Sequence, residues 1–330
     1  MQTQAIVFTA TNRVELQTID MPPPGPGEVQ IRTLCSAISA GTEGWVLANE
    51  FTWDATHYPC VPGYQRVGEV IAIGEGVSTV DVGDRVCATT GSWSGAVGPQ
   101  WGSHAAVANT LEDEVYQLPD TIDNLDAAGV VVAQVGFNAA SRVNLNPGDW
   151  VAVYGDGLIG QFAAQWARAR GARVVLVGRR ADRLALAAEH SADGVVNSRA
   201  EDACDAVRQC VGGDHVTAVI DTVQTEAAQV EYLPLLKHGE GQIVYTGFTP
   251  GATWADMGLL QKAELTTHYV SGWNYRRMHM TLLWLAAGKL AMRPLITHLV
   301  PPSGAPDMYR MIAAKNEPFL AIVIDWRDTQ

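Results

Sequence analysis

Hydrophobic and polar positions change rhythm once along the chain, and that change divides it. Up to about residue 125, apolar side chains come in short alternating stretches at 4–9, 29–34, 68–74 and 84–88. Gly- and Pro-rich text separates them: MPPPGPGE at 21–28, PGYQRVG at 62–68 and GEGV at 74–77. Short alternating runs between turn residues predict the strands of a barrel-like β domain. Residues 126–142 then read as one long apolar helix. From there continuous apolar strands (150–154, 173–177, 195–197, 218–221, 242–245) alternate with amphipathic helices (158–170, 181–190, 201–211, 226–236). That alternation predicts a parallel sheet covered on both faces. The tail returns to mixed text, with helices at 277–288 and 305–315 and strands at 295–300 and 320–324. The fold class is α/β: a doubly wound parallel sheet beside a β-rich domain.

Composition narrows the classes of function. The 330 residues suit two domains, and 47% hydrophobic content is enough for real cores. A net charge of −13 argues against nucleic acid or an anionic membrane as partner. Five cysteines, at 35, 60, 87, 204 and 210, include no CxxC pair and predict neither a disulfide framework nor a zinc knuckle. The start, MQTQAIVFTATNRVEL, does not read as a signal peptide, and no apolar run is long enough to span a membrane. A soluble, cytoplasmic protein is expected.

The clearest chemistry lies at Gly155-Asp156-Gly157-Leu158-Ile159-Gly160, a G-x-G-x-x-G between a predicted strand and a predicted helix. Gly155 permits the tight turn, Gly157 lets the backbone approach a pyrophosphate, and Gly160 lets the helix pack close to the sheet. The free N–H groups and helix dipole hold the anion. The next strand ends in VVLVGRRADRL, with Gly178 where an NAD site places an acid, followed by Arg179 and Arg180. Without the acid there is no acceptor for ribose hydroxyls and no repulsion of a 2′-phosphate, which two guanidiniums can hold. NADP(H) is the expected cofactor. The alternative is that the arginines only cover a helix end in solvent.

These motifs, with PGPGEVQIR at 24–32, YPCVPGYQRVGEVIAIGEGV at 58–77, VGDRV at 82–86, NPGDWVAVYGDGLIG from 146, GEGQIVYTGF at 239–248 and LAAGKLAMRPLITHLVP at 285–301, resemble the medium-chain dehydrogenase/reductase superfamily over essentially the whole chain. The resemblance implies a discontinuous GroES-like catalytic domain, 1–132 plus 271–330, and a Rossmann NADP-binding domain, 133–270, with the active site in the cleft between them. It adds Thr222, Gly247 and Phe248 to the cofactor-binding set. It also implies a homodimer, since 249–271 has the family position of the strand that extends the sheet into a second subunit.

The chain departs from the family pattern where zinc-dependent members bind their metal. Their Cys position is Ser39, their His is Tyr64, the Glu after it is Gln65, and the third ligand falls on Val131. The lobe at 88–103, which holds a structural zinc in many members, contains no Cys. No zinc is expected. Cys35 and Cys60 lie four residues before lost ligand positions, and His57 is another stray donor. Proton donors stand in the same place. Thr42 matches the hydroxyl that relays the proton in zinc members, Glu43 sits beside it, and Tyr64 puts a phenol where the imidazole would be. Each has a plainer alternative: packing for Tyr64, an ion pair with arginine for Glu43, and turn hydroxyls for Ser39 and Thr42.

A narrower resemblance, carried by I-S-x-G-T-E at 38–43, V-P-G-Y at 61–64 and D-W-R at 325–327, is to the zinc-less bacteriochlorophyllide a dehydrogenase-like branch. Its named member oxidises a secondary hydroxyethyl group on a tetrapyrrole. Ten tryptophans are many for this length. By family position Trp45, Trp53, Trp93, Trp101 and Trp273 line a roomy pocket for a bulky or ring-containing substrate. His104 reads as a loop histidine and His268 as a core residue of a buried strand. Three functions follow: an NADP(H)-dependent alcohol dehydrogenase/ketone reductase, an enone or quinone (C=C) reductase, and a catalytically silent NADPH-binding sensor.

Overall fold

The computed structural model describes residues 1–251 and 255–328. The chain divides into two compact units, Met1–Val131 with Met278–Gln330, and Val132–Arg277. It leaves the first unit, builds the second from one continuous segment, and returns.

The first unit is organised by Glu28–Ile38, an 11-residue strand. This strand pairs antiparallel with Arg66–Ile73 and Val107–Leu111, and at its far end with Ala321–Asp325 from the returning segment. Arg85–Ala88 and Val115–Gln117 continue the sheet on one side and Ile296–Val300 on the other. A smaller sheet runs Arg13–Asp20, Gln2–Ala10, Cys60–Val61, Gly98–Pro99. Strand period two explains how Gln2–Ala10 serves two cores. Ile6 and Phe8 face a cluster with Ile38, Val46, Tyr309 and Trp326, while Ala5 and Val7 face Val61, Ala105 and Ala108.

Several elements here were hidden in the sequence, among them the strands Val107–Leu111 and Val115–Gln117. Arg13–Asp20 is a strand of mostly polar residues, held by its long register with Gln2–Ala10. Ala40–Ala48 is a helix despite two glycines in AGTEGWVLA. Glycine costs about 1 kcal/mol in a helix interior, so burial of Glu43, Val46 and Leu47 must hold it. The expected helix at 126–142 is two helices, Asn124–Ala127 and Val130–Arg142.

The second unit is a six-stranded sheet in which every pair is parallel. Its order is Gly194–Asn197, Arg173–Gly178, Trp150–Tyr154, Ala218–Asp221, Gln242–Thr246, Thr266–Val270. The order reverses direction beside Trp150–Tyr154, and in open parallel sheets that switch point opens a crevice at the carboxyl ends of the strands. Helices Leu158–Ala169, Ala181–His190, Ala203–Val211 and Glu226–Tyr232 alternate with the strands. Thr266–Val270 is the edge strand, and there the expectation for His268 is corrected: its side chain is half-buried, and Tyr269 beside it is exposed. Among the described residues no helix is long and apolar enough to cross a membrane.

Candidate active site

Ser39 precedes the helix Ala40–Ala48 as its N-cap, and its side chain makes no capping bond. Its hydroxyl is therefore free for another partner, and the Tyr64 phenol donates to it in a short hydrogen bond. Tyr64 follows the strand Cys60–Val61 through Pro62-Gly63. The carbonyls of Pro62 and Gly63 accept from the N–H groups of His104 and Ser103, fixing the turn. The Tyr64 ring meets Trp101 edge-on at 5.3 Å. Burial pushes the phenol up to about 12, helped by the negative charge of Glu43, while hydrogen bonds with Ser39 and Thr42 pull the other way. Three hydroxyls at sequence-predicted positions thus form one chain: Tyr64, Ser39 and the half-buried Thr42.

Glu43 differs from the expectation of a donor open to substrate. It is fully buried. Its Oε1 accepts the Ser39 N–H at 2.8 Å, and its Oε2 accepts from His104 Nε2 at 3.0 Å and from the Tyr309 hydroxyl. No arginine is among these partners. His104, in a loop as expected, is nonetheless completely buried, and its Nδ1 lies 2.8 Å from Ser36 Oγ. Ser36 Oγ also takes the indole N–H of Trp326 at 2.9 Å. A carboxylate only accepts, so Nε2 donates to Glu43, while Ser36 Oγ joins the indole N–H to Nδ1. Burial and the Glu43 charge hold the Tyr309 phenol far above its ordinary range, so it remains a donor. Ser36, His104 and Tyr309 carry no motif, Trp326 entered only as part of D-W-R, and the four lie far apart in sequence, which is why the pattern did not join them. Glu43 thus braces the Ser39 backbone from within the core. Removing one partner of a buried charged cluster leaves the others unsatisfied, so Glu43→Ala should lower stability by about 3–5 kcal/mol, read from the denaturant midpoint.

The three lost ligand positions do not fit a zinc ion, which needs thiolate, imidazole or carboxylate donors. Two of them are a hydroxyl and a phenol bonded to each other, and the third, Val131, is buried and apolar. The nearby thiols do not substitute. Burial pushes Cys60 up to about 11 and Cys35 higher still, and Cys35 points at the Asn124 carbonyl. His57 is exposed. Among the described residues no group of three His, Cys, Asp or Glu could hold a metal ion.

Of the five tryptophans, Trp101 stands against Tyr64. Trp45, Phe51 and Trp53 form an aromatic row whose outer member, Trp53, is exposed. Trp93 packs on the core of the smaller sheet and donates to the Val97 carbonyl, so it fills structure rather than a pocket. Trp273 belongs to the second unit.

In the second unit, Gly155 has φ +116°, and a Cβ there would meet Thr222 Oγ1 at 2.1 Å. The Thr222 hydroxyl and N–H both bond to the Tyr154 carbonyl, seating the first glycine on the next crossover. A Cβ on Gly160 would lie 1.9 Å from the Gly155 carbonyl oxygen. Gly157, by contrast, faces open space, and the helix Leu158–Ala169 that it caps has no side-chain cap. These are the features of a phosphate cradle: bare N–H groups, a helix dipole and room for backbone contact. Gly247 lies close to Ile159, and the Gln224 amide donates to its carbonyl; Phe248 is exposed.

A cavity of about 240 Å³ opens beside this loop, lined among others by Gly178, Arg179, Arg180, Ser198 and Arg199. Arg199 is a third guanidinium that the sequence reading missed. Two buried oxygens in the cavity wall, Tyr154 Oη and Glu231 Oε1, have no protein hydrogen-bond partner. The residues present fit an adenine dinucleotide. One expectation is corrected. The end of the strand Arg173–Gly178 does not lack a carboxylate, because Asp156 of the glycine loop reaches into that place. Its Oδ2 accepts the N–H groups of Arg179 and Arg180 at 2.7 and 2.9 Å, and its Oδ1 faces the guanidiniums of Arg180 and Arg183.

Comparison with known proteins agrees with this geometry. The model of the alcohol dehydrogenase GroES-like domain matches residues 25–120, and that of the zinc-binding dehydrogenase matches residues 159–281. An alcohol dehydrogenase of Rhizobium meliloti (strain 1021) is 31% identical over 271 residues, covering 76% of this chain and 78% of that one. A dehydrogenase of Sinorhizobium meliloti 1021, solved bound to NADP, superposes with a TM-score of 0.84 at 21% identity, over 98% of this chain and 99% of the other. A short chain alcohol dehydrogenase of Escherichia coli CFT073, solved with NADH, gives a TM-score of 0.84 at 20% identity, again over 98% and 99%. At that identity the likeness to the two structures is one of fold.

Proposed function

We propose that this chain, which belongs to the medium-chain dehydrogenase/reductase superfamily, is an NADP(H)-dependent alcohol dehydrogenase or ketone reductase that works without zinc. Its substrate is a bulky or ring-containing secondary alcohol or ketone. The observation that carries this reading is the Tyr64–Ser39 hydrogen bond. At the positions where zinc-dependent relatives carry metal ligands, this chain joins two hydroxyls and continues them to Thr42.

Gly155, Gly157 and Gly160 cradle the pyrophosphate, and Arg179, Arg180 and Arg199 face the 2′-phosphate. When bound, the nicotinamide supplies or accepts the hydride. The protein's own part is the proton. In reduction, the oxygen of the substrate carbonyl takes a proton from the Ser39–Tyr64–Thr42 chain, and half-buried Thr42 admits its replacement from solvent. General acids of this kind contribute about 10²–10⁴-fold. Glu43 holds the Ser39 backbone, and His104 and Tyr309 hold Glu43, so the hydroxyls are aligned before substrate arrives. Preorganised donors of this sort stabilise a developing alkoxide without a metal. The fully engaged Asp156 carboxylate and the arginines favour NADPH and hence reduction. The edge strand Thr266–Val270, with one neighbour in its sheet, supports a homodimer.

The test uses NADPH deuterated at C4 with paired panels of bulky ketones and enones, locating deuterium by mass and NMR. Deuterium on the carbinol carbon is the expected result. Deuterium on the β-carbon of an enone would replace this reading with C=C reduction. Tight NADPH binding without transfer to any member of either panel would favour a silent sensor.

A further inference from the structure

The strand Arg173–Gly178 ends on a glycine for a reason the glycine itself does not reveal. A Cβ built on Gly178 would lie 2.6 Å from Asp156 Cβ and 2.7 Å from Asp156 Oδ2. Real Cβ atoms do not approach that closely, so the place where an acid would project from this strand is already filled from the glycine loop. The Asp156 side chain is 5% exposed, and Arg183, beneath it, is 8% exposed. An ionised carboxylate has about four lone-pair sites, and here all are occupied: two by the backbone N–H groups of Arg179 and Arg180, two by the guanidiniums of Arg180 and Arg183. Nothing of it remains for a ribose hydroxyl. Arg180 is held from one side by its N–H and its Nη1 together, and its side chain stays 44% exposed toward the cavity that also holds Ser198 and Arg199.

We propose that Asp156 is a specificity-determining positioning residue. Its carboxylate shuts a ribose-binding acid out of the end of the strand and fixes Arg180 for a 2′-phosphate, so cofactor choice is set by the Asp156–Gly178 pair rather than by the arginines alone. The inference rests on the NADP(H) reading above. It makes the two positions non-additive. An acid at 178 is tolerated only when position 156 carries no Cβ, and only then is its carboxylate free to accept from ribose.

The experiment is direct binding to the full-length protein by calorimetry, with NADPH, NADH and 2′,5′-ADP as probes and melting temperature recorded for each variant. Wild type should bind NADPH more tightly than NADH. Asp156→Asn, which keeps the volume and removes the charge, should weaken NADPH and 2′,5′-ADP about tenfold while leaving NADH nearly unchanged, since charge-assisted bonds to the Arg180 side are lost. A purely structural residue would weaken both dinucleotides alike. Gly178→Asp should lower the melting temperature and bind both poorly. The double variant Asp156→Gly/Gly178→Asp should regain stability and prefer NADH. If Gly178→Asp alone folds normally and switches preference, or if Asp156→Asn tightens NADPH, this inference is overturned and the NADP(H) reading stands. If wild type itself prefers NADH and Asp156→Asn abolishes that preference, Asp156 is a ribose acceptor and both fall.

Discussion

Replacing Tyr64 with phenylalanine should lower kcat for carbonyl reduction by about 10²–10⁴-fold, the range a positioned general acid supplies. The effect falls on turnover because the variant keeps almost everything else. Phenylalanine retains the ring that meets Trp101 edge-on, while the phenol that it removes donates to Ser39 Oγ and bonds with Thr42. Loss of two neutral hydrogen bonds costs about 2 kcal/mol, too little to unfold a protein of this size. NADPH binding, assigned to the other unit's glycine loop, should be unchanged. The pH profile supplies a second check. Burial pushes the Tyr64 phenol up to about 12, above the ordinary 10. It therefore remains a proton donor at pH 10, where an unperturbed phenol is half ionised, and kcat should show no loss from this group between pH 7 and 10. The linked stability has the same sign. With the folded value raised, the contribution of Tyr64 is complete below about pH 10 and is lost as pH rises through about 12. Unchanged turnover in Tyr64→Phe would remove Tyr64 from the proton path and leave Ser39 and Thr42 as the only hydroxyls in it.

What the sequence revealed and what it concealed follow from the range of the interactions involved. The parallel sheet was legible because each strand and helix carries its own period, and the glycine loop because all its parts are consecutive. Ser39 and Tyr64 lie 25 residues apart, and the family pattern joined them before the geometry did. The partners that fix Glu43 were invisible. His104 and Tyr309 reach it from 61 and 266 residues away, and neither belongs to a motif. Strand Arg13–Asp20 was missed because its pairing partner, not its own hydrophobicity, makes it a strand. Helix Ala40–Ala48 was missed because its glycines argue against it locally while three buried side chains hold it. The glycine at 178 was read as a missing acid, yet a carboxylate from 22 residues upstream fills that place. A side chain at the variable position of the loop had taken the space, and G-x-G-x-x-G leaves that position unspecified.

The glycine loop allows fold and binding to be separated by two substitutions a few residues apart. At Gly160 the atoms in the way are backbone, the Gly155 oxygen at 1.9 Å and its carbon at 3.0 Å, with no rotamer to relieve the contact. Gly160→Ala must push the helix Leu158–Ala169 off the sheet, and since that helix buries Phe162, Ala163 and Trp166, stability and binding should fall together. Gly157 is the opposite case. Its φ of −74° and ψ of 175° are ordinary for any L residue, and no atom lies within 4 Å of an added Cβ. Gly157→Val should therefore melt within a degree or two of wild type. It should nonetheless lose about 100-fold or more in NADPH affinity, because the isopropyl group occupies the approach that lets the backbone N–H groups reach a pyrophosphate. Thermal melts with and without NADPH, and a fluorescence titration, read both quantities on the same samples. A Gly157→Val protein that still gains the wild-type increment in melting temperature from NADPH would mean that the phosphates do not lie over this loop. The glycines would then be serving only the packing of helix on strand, and the arginine-lined cavity beside them would need another anion to explain it.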